Sequence, residues 1–129
     1  MLGRLESGKR AVIADMEAGA GTLTRMAEGS LDLVLLVAEP SAKSIEVAHR
    51  ASEIIAERKI GPTLVIANRL RGGDDAEFIR DRLGAGELVA IPDDPAVTRA
   101  DRDGLSPFDA APGAPAVEAM VKLATRLRH

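Results

Sequence analysis

Four short apolar runs, at residues 11–14, 33–38, 63–67 and 88–91, alternate with segments whose polar and apolar positions repeat at helical spacing. Inside each run the apolar residues are continuous rather than alternating with polar ones, the pattern of strands covered on both faces. Strands alternating with helical segments imply parallel strands joined by helical crossovers. The predicted fold is therefore α/β, a three-layer sandwich around a mostly parallel sheet of about four strands.

The clearest helix follows Pro40. Ser41 or Ser44 can cap its amino end, Ile45, Ala48, Ala51, Ile54 and Ile55 share one face, and Gly61 with Pro62 ends it. A second helix starts near Asp74 or Asp75, turns Phe78, Ile79 and Leu83 inward and stops at Gly84. A third runs from about Pro115, with Val117, Met120, Val121, Ala124 and Leu127 on one stripe that predicts docking on the sheet. Between the fourth run and that helix, residues 93–112 are rich in Asp, Pro, Ala and Gly and predict a helical turn over residues 95–100 followed by loop.

Composition narrows the function. The 129 residues fit one domain, 1–129, and 29% charged with 46% hydrophobic residues is a globular composition. A net charge of -3 lacks the basic excess of a nucleic-acid binder, and two aromatics, Phe78 and Phe108, are too few for a base-stacking platform. The absence of cysteine excludes disulfides, thiolate metal sites and cysteine nucleophiles. The longest apolar run, residues 33–38, is too short for a bilayer, and the first residues lack a signal-peptide core, so a cytoplasmic protein with no membrane contact is expected.

Candidate chemistry begins where the first run ends. Asp15 and Glu17 follow it directly and Gly19 opens a flexible turn. In open α/β sheets the strand ends line the ligand crevice, where a carboxylate can hold a cation or orient a water beside a phosphate. A polar strand end with a helix cap explains the same residues equally well. Gly3, Gly8 and Lys9 match part of a phosphate-loop pattern, but Arg10 occupies the Ser/Thr place and the strand follows rather than precedes it, so the match is read as chance. Taken alone, Asn68 is a turn residue after a strand, Asp93 with Asp94 is a solvated loop, and His49 beside Arg50 is a surface histidine. No Ser-His-Asp set is visible.

Taken in order, the strand ends resemble a known family. Asp15-x-Glu17-Ala18-Gly19, then Val37-Ala38-Glu39-Pro40-Ser41-x-x-Ser44, then Ile66-Ala67-Asn68-Arg69, then Ala90-Ile91-Pro92-x-Asp94-Pro95 are similar to the second half of the MinD/ParA-type deviant-Walker ATPases, especially the CooC-type branch. The resemblance covers nearly the whole chain and implies a partial P-loop NTPase, Rossmann-like fold. It implies ATP or ADP with Mg2+ as cofactor, with Asp15 as the acid near magnesium, Asn68 as the adenine reader, and Pro92 and Asp93 against the purine. Glu17, Gly19 and Arg69 complete the implied cofactor-binding set, and no residue is assigned a catalytic role.

Several family features have no counterpart among these residues. The phosphate-loop strand, its lysines and the first switch are not found, nor are the cysteines of the nickel-related branch. The expected function is thus a truncated MinD/CooC-like nucleotide-binding domain with at most residual adenine-nucleotide binding and no ATP hydrolysis alone. The alternative is a non-catalytic dimerisation or partner-binding module, acting as a homodimer or on a protein partner; a degenerate phospho-receiver domain fits poorly, because Asn68 stands where its phosphate-accepting Asp belongs. In the family the phosphate-loop strand lies between those matching residues 11–14 and 33–38. Without it the two runs are expected to pair directly through a short helical crossover, leaving Asp15 at the sheet edge that bears Asn68 and Pro92.

Overall fold

The computed structural model describes residues 11–16 and 20–128. Three strands, β1 (Val34–Ala38), β2 (Thr63–Leu70) and β3 (Leu88–Pro92), form a parallel sheet in the order β1-β2-β3. In register, Val34 lies opposite Thr63 and Ala38 opposite Ala67, while Val65 lies opposite Leu88. The helices are α1 (Ala20–Leu23), α2 (Ala42–Glu57), α3 (Asp75–Leu83), α4 (Pro95–Arg102), α5 (Pro107–Ala110) and α6 (Pro115–Leu127).

The central strand explains why the apolar runs are continuous. Val65 and Ala67 of β2 pack with Leu36 and Ala38 of β1, Ile45 and Ala48 of α2 and Ile79 of α3. Leu64 and Ile66, pointing the other way, pack with Ile91 of β3 and with Ala116 and Leu123 of α6. Successive strand residues point to opposite faces, so a strand with a helix layer on each side needs apolar residues at every position. The three-layer α/β arrangement follows from this.

Local signals set the helix ends. Ser41, in extended conformation, is the N-cap of α2 and its hydroxyl accepts from the Ser44 N–H at 3.2 Å, while the Ser44 hydroxyl accepts from the Glu39 N–H at 2.9 Å. Both serines are thus used, one to start the helix and one to tie it back to β1. Gly84 ends α3 at φ 63, a left-handed conformation that favours glycine. Gly61 is required for a different reason. A Cβ there would collide with the Leu31 carbonyl oxygen, because the segment before β1 runs against this turn, with the Leu31 N–H donating to the Ile60 carbonyl at 3.2 Å.

Two expectations are corrected. Residues 11–14 do not pair with β1: residues 11–16 have no regular structure, and Ile13 is 84% exposed. The cluster formed with α6 covers β2 and β3 and reaches Leu35 of β1, but Val37, on the same face of β1, is 56% exposed. A further strand beyond β1 would have one bare face, so a four-residue run gains too little burial to offset the entropy of ordering it. The second correction concerns α6, whose buried residues are Ala116, Val117 and Leu123, whereas Met120 is 52% exposed and Val121 and Leu127 are exposed as well. The apolar arc of the helix is wider than its contact with the sheet.

Candidate functional site

At the carboxyl end of the sheet the β2–β3 register slips between Ala67 and Leu70. Within that bulge Arg69 adopts φ 58. An extra residue in a strand bends it and re-aims the side chains around it. Pairing resumes beyond, where Leu70 lies opposite Pro92 and the Asp93 N–H donates to the Leu70 carbonyl at 2.9 Å.

Past these strand ends opens a cleft of about 720 Å³, within the size range of small-molecule sites. Asn68, Arg69, Ile91, Pro92 and Asp93 line it from the sheet, Val97 and Thr98 from α4, Pro107 and Phe108 from α5, and Val117, Met120, Val121 and Ala124 from α6. The lining is mostly apolar with polar groups gathered at the strand ends, the usual division between packing and orienting groups.

The polar end is a charge cluster. The Arg69 guanidinium lies 3.3 Å from Glu39 Oε1 through Nη1 and 3.4 Å from Asp93 Oδ1 through Nε. Arg71 Nε meets the other Asp93 oxygen at 3.1 Å. Asp94 is turned to structure: its Oδ1 accepts from the Ala96 N–H and its Oδ2 from the Ala116 N–H, both at 3.0 Å. The first of these caps α4; the second satisfies the first turn of α6, whose own N-cap residue, Ala114, has no side-chain acceptor.

Of the implied site residues, Asn68, Arg69, Pro92 and Asp93 are brought together in one cleft. Asp15 is exposed, outside any strand, and does not line it. Glu17 and Gly19 lie outside the described residues, as does the segment of Gly3, Gly8 and Lys9. Among the described residues no group of three or more His, Cys, Asp or Glu side chains gathers to hold a metal. Asp94, read as solvated loop, is instead a half-buried double cap. His49 is a surface residue paired with Glu53 at 2.9 Å, as expected.

Sequence reasoning missed the α5 and α6 contributions. Ser106-Pro107 carries a helix-start signal that could have located α5. Met120, Val121 and Ala124 were visible as an apolar stripe but assigned to the core. Among the described residues no helix is long and apolar enough to cross a membrane.

An open parallel sheet with helices on both faces and a cleft beyond its strand carboxyl ends defines an α/β domain of the Rossmann-like, P-loop-NTPase-like class. No family model matches the chain. It is 35% identical over 109 residues to the carbon monoxide dehydrogenase accessory protein CooC of Rhodospirillum rubrum, a match covering 84% of this chain and 41% of that protein. An uncharacterized ATP-binding protein of Methanocaldococcus jannaschii is 33% identical over 93 residues, 70% of this chain and 36% of that one. Among solved structures, the MinD cell division protein of Aquifex aeolicus superposes with a TM-score of 0.61 and 27% identity, over 74% of this chain and 43% of MinD. MinD from the MinC:MinD complex of the same organism gives the same TM-score. The chain is a MinD/ParA/CooC-type, P-loop-ATPase-like domain. It spans roughly two fifths of the length of the curated relatives it matches.

Proposed function

We propose that the cleft receives the base and sugar of an adenine nucleotide, ATP or ADP, with Asn68 as the base reader. The observation that carries this reading is the convergence of Asn68, Pro92 and Asp93 from two neighbouring strand ends on one cleft. A carboxamide can accept from the adenine N6 amino group and donate to N7 at once, a pairing few side chains can make. Ile91, Pro92 and Val117 offer apolar surface to the flat faces of the ring. One relative is named as an ATP-binding protein, which favours the same ligand class.

On this reading the 129 residues form the base-binding part of a MinD/CooC-like ATPase and do not hydrolyse ATP by themselves. Catalysis at a γ-phosphate depends on positioning and on charge stabilisation by backbone N–H groups, lysines and metal. No lysine lines the cleft among the described residues. With one amide pair and some packing, adenosine is expected to bind no better than about millimolar, on the order of 4 kcal/mol. Titration of the labelled protein with adenosine, followed by nuclear magnetic resonance, should shift the signals of Asn68, Ile91 and Asp93, and Asn68→Ala should abolish the response. Shifts confined to residues remote from the cleft overturn the reading.

A second reading has its own observation. Phe108 is 62% exposed and, with Met120 and Val121, presents apolar surface at the cleft, as a dimerisation or partner-binding module would. Stable self-association unaffected by nucleotide would favour it.

A further inference from the structure

We propose that Arg69 is a phosphate-responsive latch at the mouth of the cleft: its guanidinium, paired with Glu39 and Asp93, leaves them to grip the phosphate of a nucleotide whose base lies against Asn68. This rests on the base-binding reading above and adds to it a residue role and a conformational consequence.

Three observations converge on Arg69. Its backbone is held at φ 58, where a residue with a Cβ is uncommon and needs support from its surroundings. Here the support is the bulge that separates Ala67 from Leu70, and it sets Arg69 beside Asn68 in the lining of the same cleft. Next, the guanidinium ties the ends of all three strands together, reaching Glu39 just beyond β1 and Asp93 just beyond β3 from its own place on β2. Finally, Asp93 is shared with Arg71, which meets its second oxygen at 3.1 Å.

The sharing makes the exchange easy. When Arg69 turns away, Asp93 keeps Arg71 as its cation and Glu39, a half-exposed side chain, returns to water. Neither carboxylate is stranded in a dry site, which is the circumstance that makes breaking an ion pair costly. The Arg69 side chain is itself 55% exposed, so its present pairs are weak, whereas a phosphate offers two charges and a geometry that matches the guanidinium fork. Glu39 and Asp93 compete with any anion for the guanidinium, so a phosphate brought alongside by a base anchored at Asn68 is favoured over a free one.

The test compares adenosine, AMP and inorganic pyrophosphate on the same labelled protein at low salt. AMP should bind about three- to fivefold more tightly than adenosine, the gain of one exposed charge pair. Arg69→Gln should remove that difference. Glu39→Gln, which loosens the latch from a position outside the cleft lining, should widen it by a similar factor. The Arg69 Nε–H resonance should move with AMP or pyrophosphate and stay put with adenosine. Equal affinities for AMP and adenosine, or a preference that survives Arg69→Gln, overturn the latch. Failure of adenosine to bind would sink the base reading instead, and the Arg69 Nε–H response to pyrophosphate would still decide the role of the arginine.

Discussion

Asp94→Ala should destabilise the protein more than any substitution of a comparably accessible residue in the loop it opens. One carboxylate serves two helices, accepting from Ala96 at the start of α4 and from Ala116 at the start of α6. Loss of an N-cap acceptor costs about 1 kcal/mol, and α6 has no local replacement because Ala114 occupies its cap position. The two bonds together amount to about 2 kcal/mol, with a further favourable contribution from a negative charge beside two helix amino ends. For a chain of this size that corresponds to a fall of roughly 8 °C in melting temperature. Asp94→Asn keeps one acceptor oxygen, so it should lose about half as much. Urea unfolding followed by circular dichroism at neutral pH measures both variants, with an unchanged denaturant slope showing that the effect lies in the folded state. An alanine variant within about 0.5 kcal/mol of the parent, or an asparagine variant as unstable as the alanine one, would refute the double-cap argument.

Two other outcomes follow from local geometry. Gly61→Ala puts a Cβ against the Leu31 carbonyl, which is backbone and cannot swing aside, and should cost about 1–3 kcal/mol in the same urea assay, whereas Gly72→Ala, with open space around it, should stay within about 0.5 kcal/mol. Asp75 accepts from the Arg71 and Gly72 N–H groups, which lower its pKa from the ordinary value of 3.8, helped by the Arg71 charge. A lowered folded-state pKa means a stabilising contribution that is present above the unfolded value and is lost as pH falls through the folded one. Stability measured from neutral pH down into that acid range should therefore fall less steeply in Asp75→Asn than in the parent, and parallel curves would count against the assignment.

How much of this was legible depends on what each residue's signal was tied to. Runs bounded by proline and glycine, such as β2 after Pro62, marked their own beginnings, and Ser41 and Gly84 marked helix ends through side-chain or backbone chemistry that acts within a few residues. The extension of β2 through Asn68 and Arg69 was hidden, because a polar pair at a bulge looks like a turn in sequence. Residues 11–14 have the composition of a strand, but a strand exists only beside a neighbour, and whether β1 offers one is a tertiary fact. The candidate site was legible in part: Asn68 and Pro92 stood out by resemblance, while Phe108 and Met120 enter the cleft through packing that no local pattern encodes.

Helix α6 divides one apolar arc between two duties. Ala116, Val117 and Leu123 are buried and fasten it to the domain, the first two also reaching the opening beyond the strand ends, while Met120, Val121 and Ala124 shape that opening without being buried. Selection can therefore act on the exposed set separately. Exchanging Met120 for a longer, shorter or branched side chain alters what the opening admits while the anchoring row stays intact. A lineage carrying this helix could change its preferred ligand through single substitutions, without first acquiring spare stability to survive them.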